Sequence, residues 1–182
     1  MKKGVMVDLE TRGNVPGCAI LSIGAVAFDE TGVDESAKFY TVLNTASCHA
    51  IGLFDNLSTM AWWEKQAPEA RGVLDEALVS ETGIVAGLTK FGAFLGSVAS
   101  LGKIQVWGNG ADFDNAILAA AYHAAEIELP WLFWNNRCYR SLKSLIKGPK
   151  LERAGTHHNA LDDAISQARH AVQLLNSSGL RL

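Results

Sequence analysis

The sequence predicts an α/β protein with a mixed five-stranded sheet and helices on both faces. Three observations carry that expectation. Strand-like apolar segments crowd the first 43 residues; helical and strand patterns alternate from about residue 56; and the 182 residues, 48% hydrophobic and 19% charged, suit one domain with a sizeable core.

Val5–Glu10 reads as the first strand and Ala19–Phe28 as the second, with Gly13, Pro16 and Gly17 marking the turn between them. Lys38–Leu43 follows the Asp29–Gly32 turn as a third strand, giving an antiparallel meander. Ser58 is the expected cap of a helix over Thr59–Gln66, and a second short helix begins at Pro68. Ile84, Val85, Leu88, Phe91 and Leu95 recur at helical spacing within Thr82–Val98. Ile104–Trp107 is a short buried strand that ends in Gly108-Asn109-Gly110, and a helix runs from Asp114 to Glu126. Leu132–Trp134 is the expected last strand. A basic helix, Tyr139–Lys147, and an amphipathic helix, Ala160–Asn176, complete the chain.

Composition narrows the function classes. Cys18, Cys48 and Cys138 are odd in number, far apart and without a C-x-x-C pair, which argues against a disulfide framework or a zinc knuckle. No apolar run approaches the ~20 residues of a membrane helix. Lys2 and Lys3 have no apolar h-region after them, so the expected setting is cytoplasmic, with no membrane partner. The net charge of −3 is wrong for a protein that coats nucleic acid. Locally the balance reverses: Arg137, Arg140, Lys143, Lys147, Lys150 and Arg153 face only Glu152. Arg140, Lys143 and Lys147 would share one helical face.

The chemistry lies in the acids. Asp8 and Glu10 sit two apart in an otherwise apolar strand, so their side chains point to the same face. Carboxylates there are costly to bury unless a cation meets them. Asp112 or Asp114 opens a later helix, and Asp162 or Asp163 opens the last one after His157 and His158. Each of these acids could instead complement a helix macrodipole. Together they make a hard-oxygen donor set suited to Mg²⁺ or Mn²⁺. Two such ions can clamp the attacking and leaving oxygens of a phosphodiester, while a nearby histidine accepts a proton from water.

Val7-Asp8-Leu9-Glu10-Thr11, Trp107-Gly108-Asn109-Gly110-Ala111-Asp112-Phe113-Asp114 and His158-Asn159-Ala160-Leu161-Asp162-Asp163 resemble, in order, the three motifs of the DEDDh 3′–5′ exonuclease superfamily. The resemblance implies an RNase H-like sheet, two divalent ions held by Asp8, Glu10, Asp114 and Asp163, and His158 as general base. It selects Asp114 because the family's acid follows a phenylalanine, here Phe113. The family's histidine-to-aspartate spacing selects His158 and Asp163. Four residues separate Asn109 from Asp114, where the commoner second motif has three. The Trp-Gly-Asn-Gly form, with Trp62-Trp63 and Asn135-Asn136-Arg137-Cys138-Tyr139-Arg140, is similar to an exonuclease VIII-like branch that includes small bacterial 3′–5′ exoribonucleases.

The resemblance implies a substrate of single-stranded DNA or RNA 3′ ends, degraded to nucleoside 5′-monophosphates. Thr11 would lie near the terminal nucleotide, Asn109 would bind the substrate, Trp62 and Trp63 could stack on bases, and Arg137 and Arg140 would track the backbone. At least one of the two tryptophans is expected in a helix core instead. Dimeric relatives make a homodimer an expectation. Two other readings use the same residues: a catalytically idle nucleic-acid-binding module, and a phosphohydrolase of small nucleotides.

Overall fold

The computed structural model describes residues 2–110, 112–153 and 155–182. Strands β1 (Gly4–Thr11), β2 (Ile20–Asp29) and β3 (Gly32–Val42) form the antiparallel meander. Helices α1 (Thr45–Ala50), α2 (Leu57–Trp63), α3 (Pro68–Val79) and α4 (Ile84–Val98) follow, then β4 (Gln105–Gly108), α5 (Asp114–Ala124), β5 (Asn136–Cys138), α6 (Tyr139–Leu145) and α7 (Ala160–Ser178). The five strands make one mixed sheet in the order β3-β2-β1-β4-β5, with β4 parallel to both β1 and β5. The expected architecture is the one observed.

Both faces of β1 are covered, which is why the strand is apolar nearly throughout rather than alternating. Val5, Val7 and Leu9 pack with Leu88, Phe91, Leu95, Ile117 and Leu118 of α4 and α5. Met6, Val26 and Phe28 face the other way, onto Trp107, Tyr139 and the apolar stripe of α7. Asp8 and Glu10 have the parity of Met6 and therefore lie on the α7 face.

Five local readings change, and the first is that the third strand begins at Gly32 rather than Lys38. The last strand is Asn136–Cys138, and Phe133–Asn135 is a turn of 3-10 helix. Phe133 and Trp134 are exposed, so their apolar run does not mark a buried strand. The pairing is anchored instead by Asn136, whose Oδ1 accepts from Asn115 Nδ2 and Trp131 Nε1. The cap of α2 is Asn56, whose side chain accepts from the Ser58 and Thr59 N–H groups, not Ser58 itself. The helix α1, capped by Asn44, falls between the predicted elements. The helix α6 ends at Leu145, so Lys147 leaves the face shared by Arg140 and Lys143.

Two features of this framework position a site. Because β1 and β4 are parallel, their carboxyl ends lie side by side, where ligands gather in open α/β sheets. The start of α7 is seated directly on β2 at Gly24, where an added Cβ would lie 2.2 Å from the Ala160 and Leu161 backbone. No single helix among the described residues is long and apolar enough to cross a membrane.

Candidate active site

A cleft of about 480 Å³ opens at the carboxyl ends of β1 and β4. Asp8, Glu10, Thr11, Trp62, Trp63, Asn109, His157, His158 and Asp163 all line it, together with Arg153 and Gln167.

The acids converge. One carboxylate oxygen from each of Asp8, Glu10 and Asp163 lies within 4.8 Å of the others. Asp114, not part of that trio, is almost completely buried at the mouth of the β1–β4 pair. Its Oδ1 accepts from the Leu9 N–H at 3.2 Å and its Oδ2 from the Asn109 N–H at 2.7 Å. Glycine is required just upstream: a Cβ on Gly108 would lie 2.4 Å from Asn115 Oδ1 and 2.9 Å from Asp114 Cβ. That close approach is the physical content of the Trp-Gly-Asn-Gly segment.

The neighbouring acids whose spacing left a choice have other placements. Asp112 is exposed and does not line the cleft. Asp162 accepts the Thr156 N–H at 2.7 Å and closes the loop before α7. Asp163, on the inner side of the same turn, accepts the His158 N–H at 3.1 Å and pairs with Arg153. The side chain of Asn159 caps α7 through Leu161 N and Asp162 N, fixing the turn that presents Asp163.

Electrostatics mark the cluster as a place for positive charge. Burial, then the charges of Asp114, Glu10 and Asp163, push the Asp8 carboxyl well above its ordinary range, opposed by the Gln167 hydrogen bond. Burial followed by Asp163 and Asp114 pushes Glu10 up to about 8. Burial raises Asp114 to about 6 against the donors that hold its anion. Carboxylates kept close together at this cost fit hard divalent cations. Arg153, a cation from the chain itself, already rests on one of them.

Both histidines reach the cleft, their rings 3.9 Å apart between centroids. His158 is the more enclosed, edge-on to Trp62 at 5.0 Å and to Trp63 at 6.1 Å. Burial, then the charge of His157, lowers its pKa. His158 also adopts φ +62°, a left-handed conformation uncommon for a non-glycine residue.

The remaining substrate candidates divide. Trp62 is 41% exposed at the cleft, whereas Trp63 is buried and donates its Nε1–H to Thr11 O at 2.8 Å. The Thr11 hydroxyl donates to Gly13 O. Asn109 has a buried Oδ1 without a partner among the described residues. Arg140 lies beside the Gly110 turn, and its charge favours the Asp114 anion. Arg137 donates to the Trp134 and Asn136 carbonyls and does not line the cleft.

Of the cleft residues that sequence reasoning missed, two touch its acids. Gln167 donates Nε2–H to Asp8 Oδ1 at 2.7 Å, and its position four residues after Asp163 was the available signal. Arg153 was counted only within a basic stretch, and nothing local marks it as a partner of Asp163.

The phage T4 exodeoxyribonuclease is 27% identical over 159 residues, covering 75% of this chain and 68% of that protein. Among solved structures, the cell-death related nuclease 4 (CRN-4) covers 98% of this chain and 67% of its own, with a TM-score of 0.60 at 12% identity, a likeness of fold. The model of the 3′–5′ exoribonuclease Rv2179c-like domain matches residues 3–175, which is nearly the whole chain and includes every acid of the cleft. The chain belongs to the 3′–5′ exoribonuclease Rv2179c-like domain family.

Proposed function

We propose that the protein is a metal-dependent 3′–5′ exonuclease of the DEDDh, RNase H-like type that releases nucleoside 5′-monophosphates from single-stranded ends. The observation that carries this reading is the meeting of Asp8, Glu10 and Asp163 with His158 at one cleft, from two distant segments of chain, with Asp114 of a third buried behind it on the Leu9 N–H.

Asp8, Glu10 and Asp163 would hold one Mg²⁺ or Mn²⁺ ion, and Asp114 would complete the set for a second. Such a pair would supply positive charge at the phosphodiester and its entering and departing oxygens. The chain does the rest. Gln167 fixes the rotamer of Asp8, and the Leu9 and Asn109 N–H groups fix that of Asp114. His158, its ring kept neutral by partial burial, takes the proton of the attacking water. Trp62 offers a face at the cleft on which the terminal base stacks. Trp63 supports it from the core, their rings edge-to-face at 5.0 Å.

Purified protein incubated with matched 3′-labelled DNA and RNA single strands and Mn²⁺ tests the reading. Labelled mononucleotide is the expected first product. His158→Ala should lower the rate by roughly 10²–10⁴-fold while the protein still binds metal. No mononucleotide from either strand under varied metal and pH would sink the proposal.

A further inference from the structure

Among the cleft side chains, Arg153 has the placement that the proposed chemistry leaves unexplained. It is brought in by the segment between α6 and α7, outside the three acidic motifs. One guanidinium nitrogen rests on Asp163 Oδ1, while Oδ2 of the same carboxylate accepts the His158 N–H. The ion pair is lopsided: the Asp163 side chain is 10% exposed and the Arg153 side chain 48% exposed. One partner is buried in the wall and the other is half open to solvent.

The backbone that carries Arg153 is held on either side. Upstream, the Pro149 carbonyl accepts from His170 Nε2 at 2.8 Å, and the His170 ring is itself bound through Nδ1 to the Tyr139 hydroxyl at 2.6 Å. Downstream, the Thr156 N–H is bound to Asp162. The side chain can therefore leave Asp163 without the segment leaving the cleft.

We infer that Arg153 is a displaceable internal cation at Asp163, giving way to a divalent ion and then meeting a phosphate oxygen of the nucleic-acid strand in the same cleft. This rests on Asp163 being a metal ligand, as proposed above. An arginine cannot lose its proton to relieve repulsion from an arriving divalent ion, so it has to move. Once released it remains at the cleft wall beside Trp62 and His158, where a bidentate guanidinium suits a phosphate. Metal loading and strand binding would then assist each other, since each is favoured by the position of Arg153 that the other needs.

Calorimetric titration of Mn²⁺ into metal-free wild-type, Arg153→Gln, Arg153→Lys and Asp163→Asn proteins tests this, with circular dichroism to verify folding. Arg153→Gln should bind Mn²⁺ more tightly, by roughly 1.5- to 5-fold, because the competing ion pair is gone. The same variant should bind a single-stranded oligonucleotide several-fold more weakly in saturating Ca²⁺. Arg153→Lys, which keeps the charge, should lie between on both measures. Unchanged or weaker Mn²⁺ affinity in folded Arg153→Gln, or in Arg153→Lys should the glutamine variant not fold, would overturn the inference. So would unchanged oligonucleotide affinity. If wild type binds no Mn²⁺, or binds it as well after Asp163→Asn, the reading of Asp163 as a ligand fails instead.

Discussion

One turn beyond Asp163 on α7, Gln167 gives its Nε2–H to Asp8 while its Oε1 stays buried without a partner among the described residues. An amide buried beside a carboxylate does two things: it selects one rotamer of Asp8, and it opposes the repulsion of the neighbouring acids. Gln167→Leu keeps much of the volume and removes both polar ends. Its single-turnover rate should fall about 10- to 100-fold if Asp8 holds a metal ion as proposed, the loss typical of removing a residue that orients a ligating carboxylate. Its melting temperature should be unchanged or higher, because a buried unpartnered carbonyl goes as well. A normal rate would show that Asp8 is oriented without it. Trp63 shows the opposite case, a residue whose type suggested base stacking and whose Nε1–H is instead spent on the Thr11 carbonyl at the end of β1.

At the scale of elements, the site depends on how α7 starts. Asn159 caps it, and Gly24 of β2 lets its first turn lie against the sheet. Asn159→Ala should cost about 0.5–2 kcal/mol in denaturant unfolding. Gly24→Ala drives a methyl into helix backbone that cannot rotate away, which should cost about 1–3 kcal/mol. It should also lower activity more than stability, since the helix turn it displaces carries Asp163; a folded Gly24→Ala protein with wild-type turnover would refute that coupling. The long elements were legible in the sequence because their burial leaves a periodic trace: β1, β2, α4 and α7 all lie near their expected bounds. Among the others, the short β4 lies within one residue of its expected bounds, whereas β3 begins at Gly32 rather than Lys38, and β5 and α1 were not legible. The strand β5 is set by side-chain hydrogen bonds to Asn136, and α1 is six residues held by one asparagine cap, so neither writes a hydropathy pattern. The acidic motifs were legible for a different reason, since carboxylates within apolar segments are anomalous wherever they occur. Gln167 and Arg153 carry no such anomaly, and only their positions in space distinguish them.

For the whole molecule, the acidic cluster should make stability depend on pH and, under the proposed function, on metal. In the folded, metal-free protein Glu10 keeps its proton up to about 8, against 4.5 for an unperturbed glutamate, and Asp8 is shifted in the same direction. A raised carboxyl pKa means the folded form binds more protons between those values than the unfolded chain does. Its contribution is fully present below the unfolded pKa and is lost as pH rises through about 8. The ion pair of Asp55 with Arg12 works oppositely. Partial burial disfavours the Asp55 anion, but Arg12 and His49 outweigh it and lower the pKa, so that contribution is lost only as pH falls into the acid range. In the presence of a chelator the melting temperature should therefore be highest near pH 5 and decline steadily toward pH 8.5. Glu10→Gln, which removes the titrating group without removing its volume, should flatten the decline and melt higher than wild type at pH 8. Excess Mn²⁺ should reverse the slope in wild type, since a ligand at 100 times its Kd adds about 2.7 kcal/mol and binds the deprotonated acids. It should do much less for Glu10→Gln. Scanning calorimetry over that pH range, with and without Mn²⁺, decides the matter. A chelated wild-type protein as stable at pH 8.5 as at pH 5 would mean that the four carboxylates do not repel one another as their burial and spacing require.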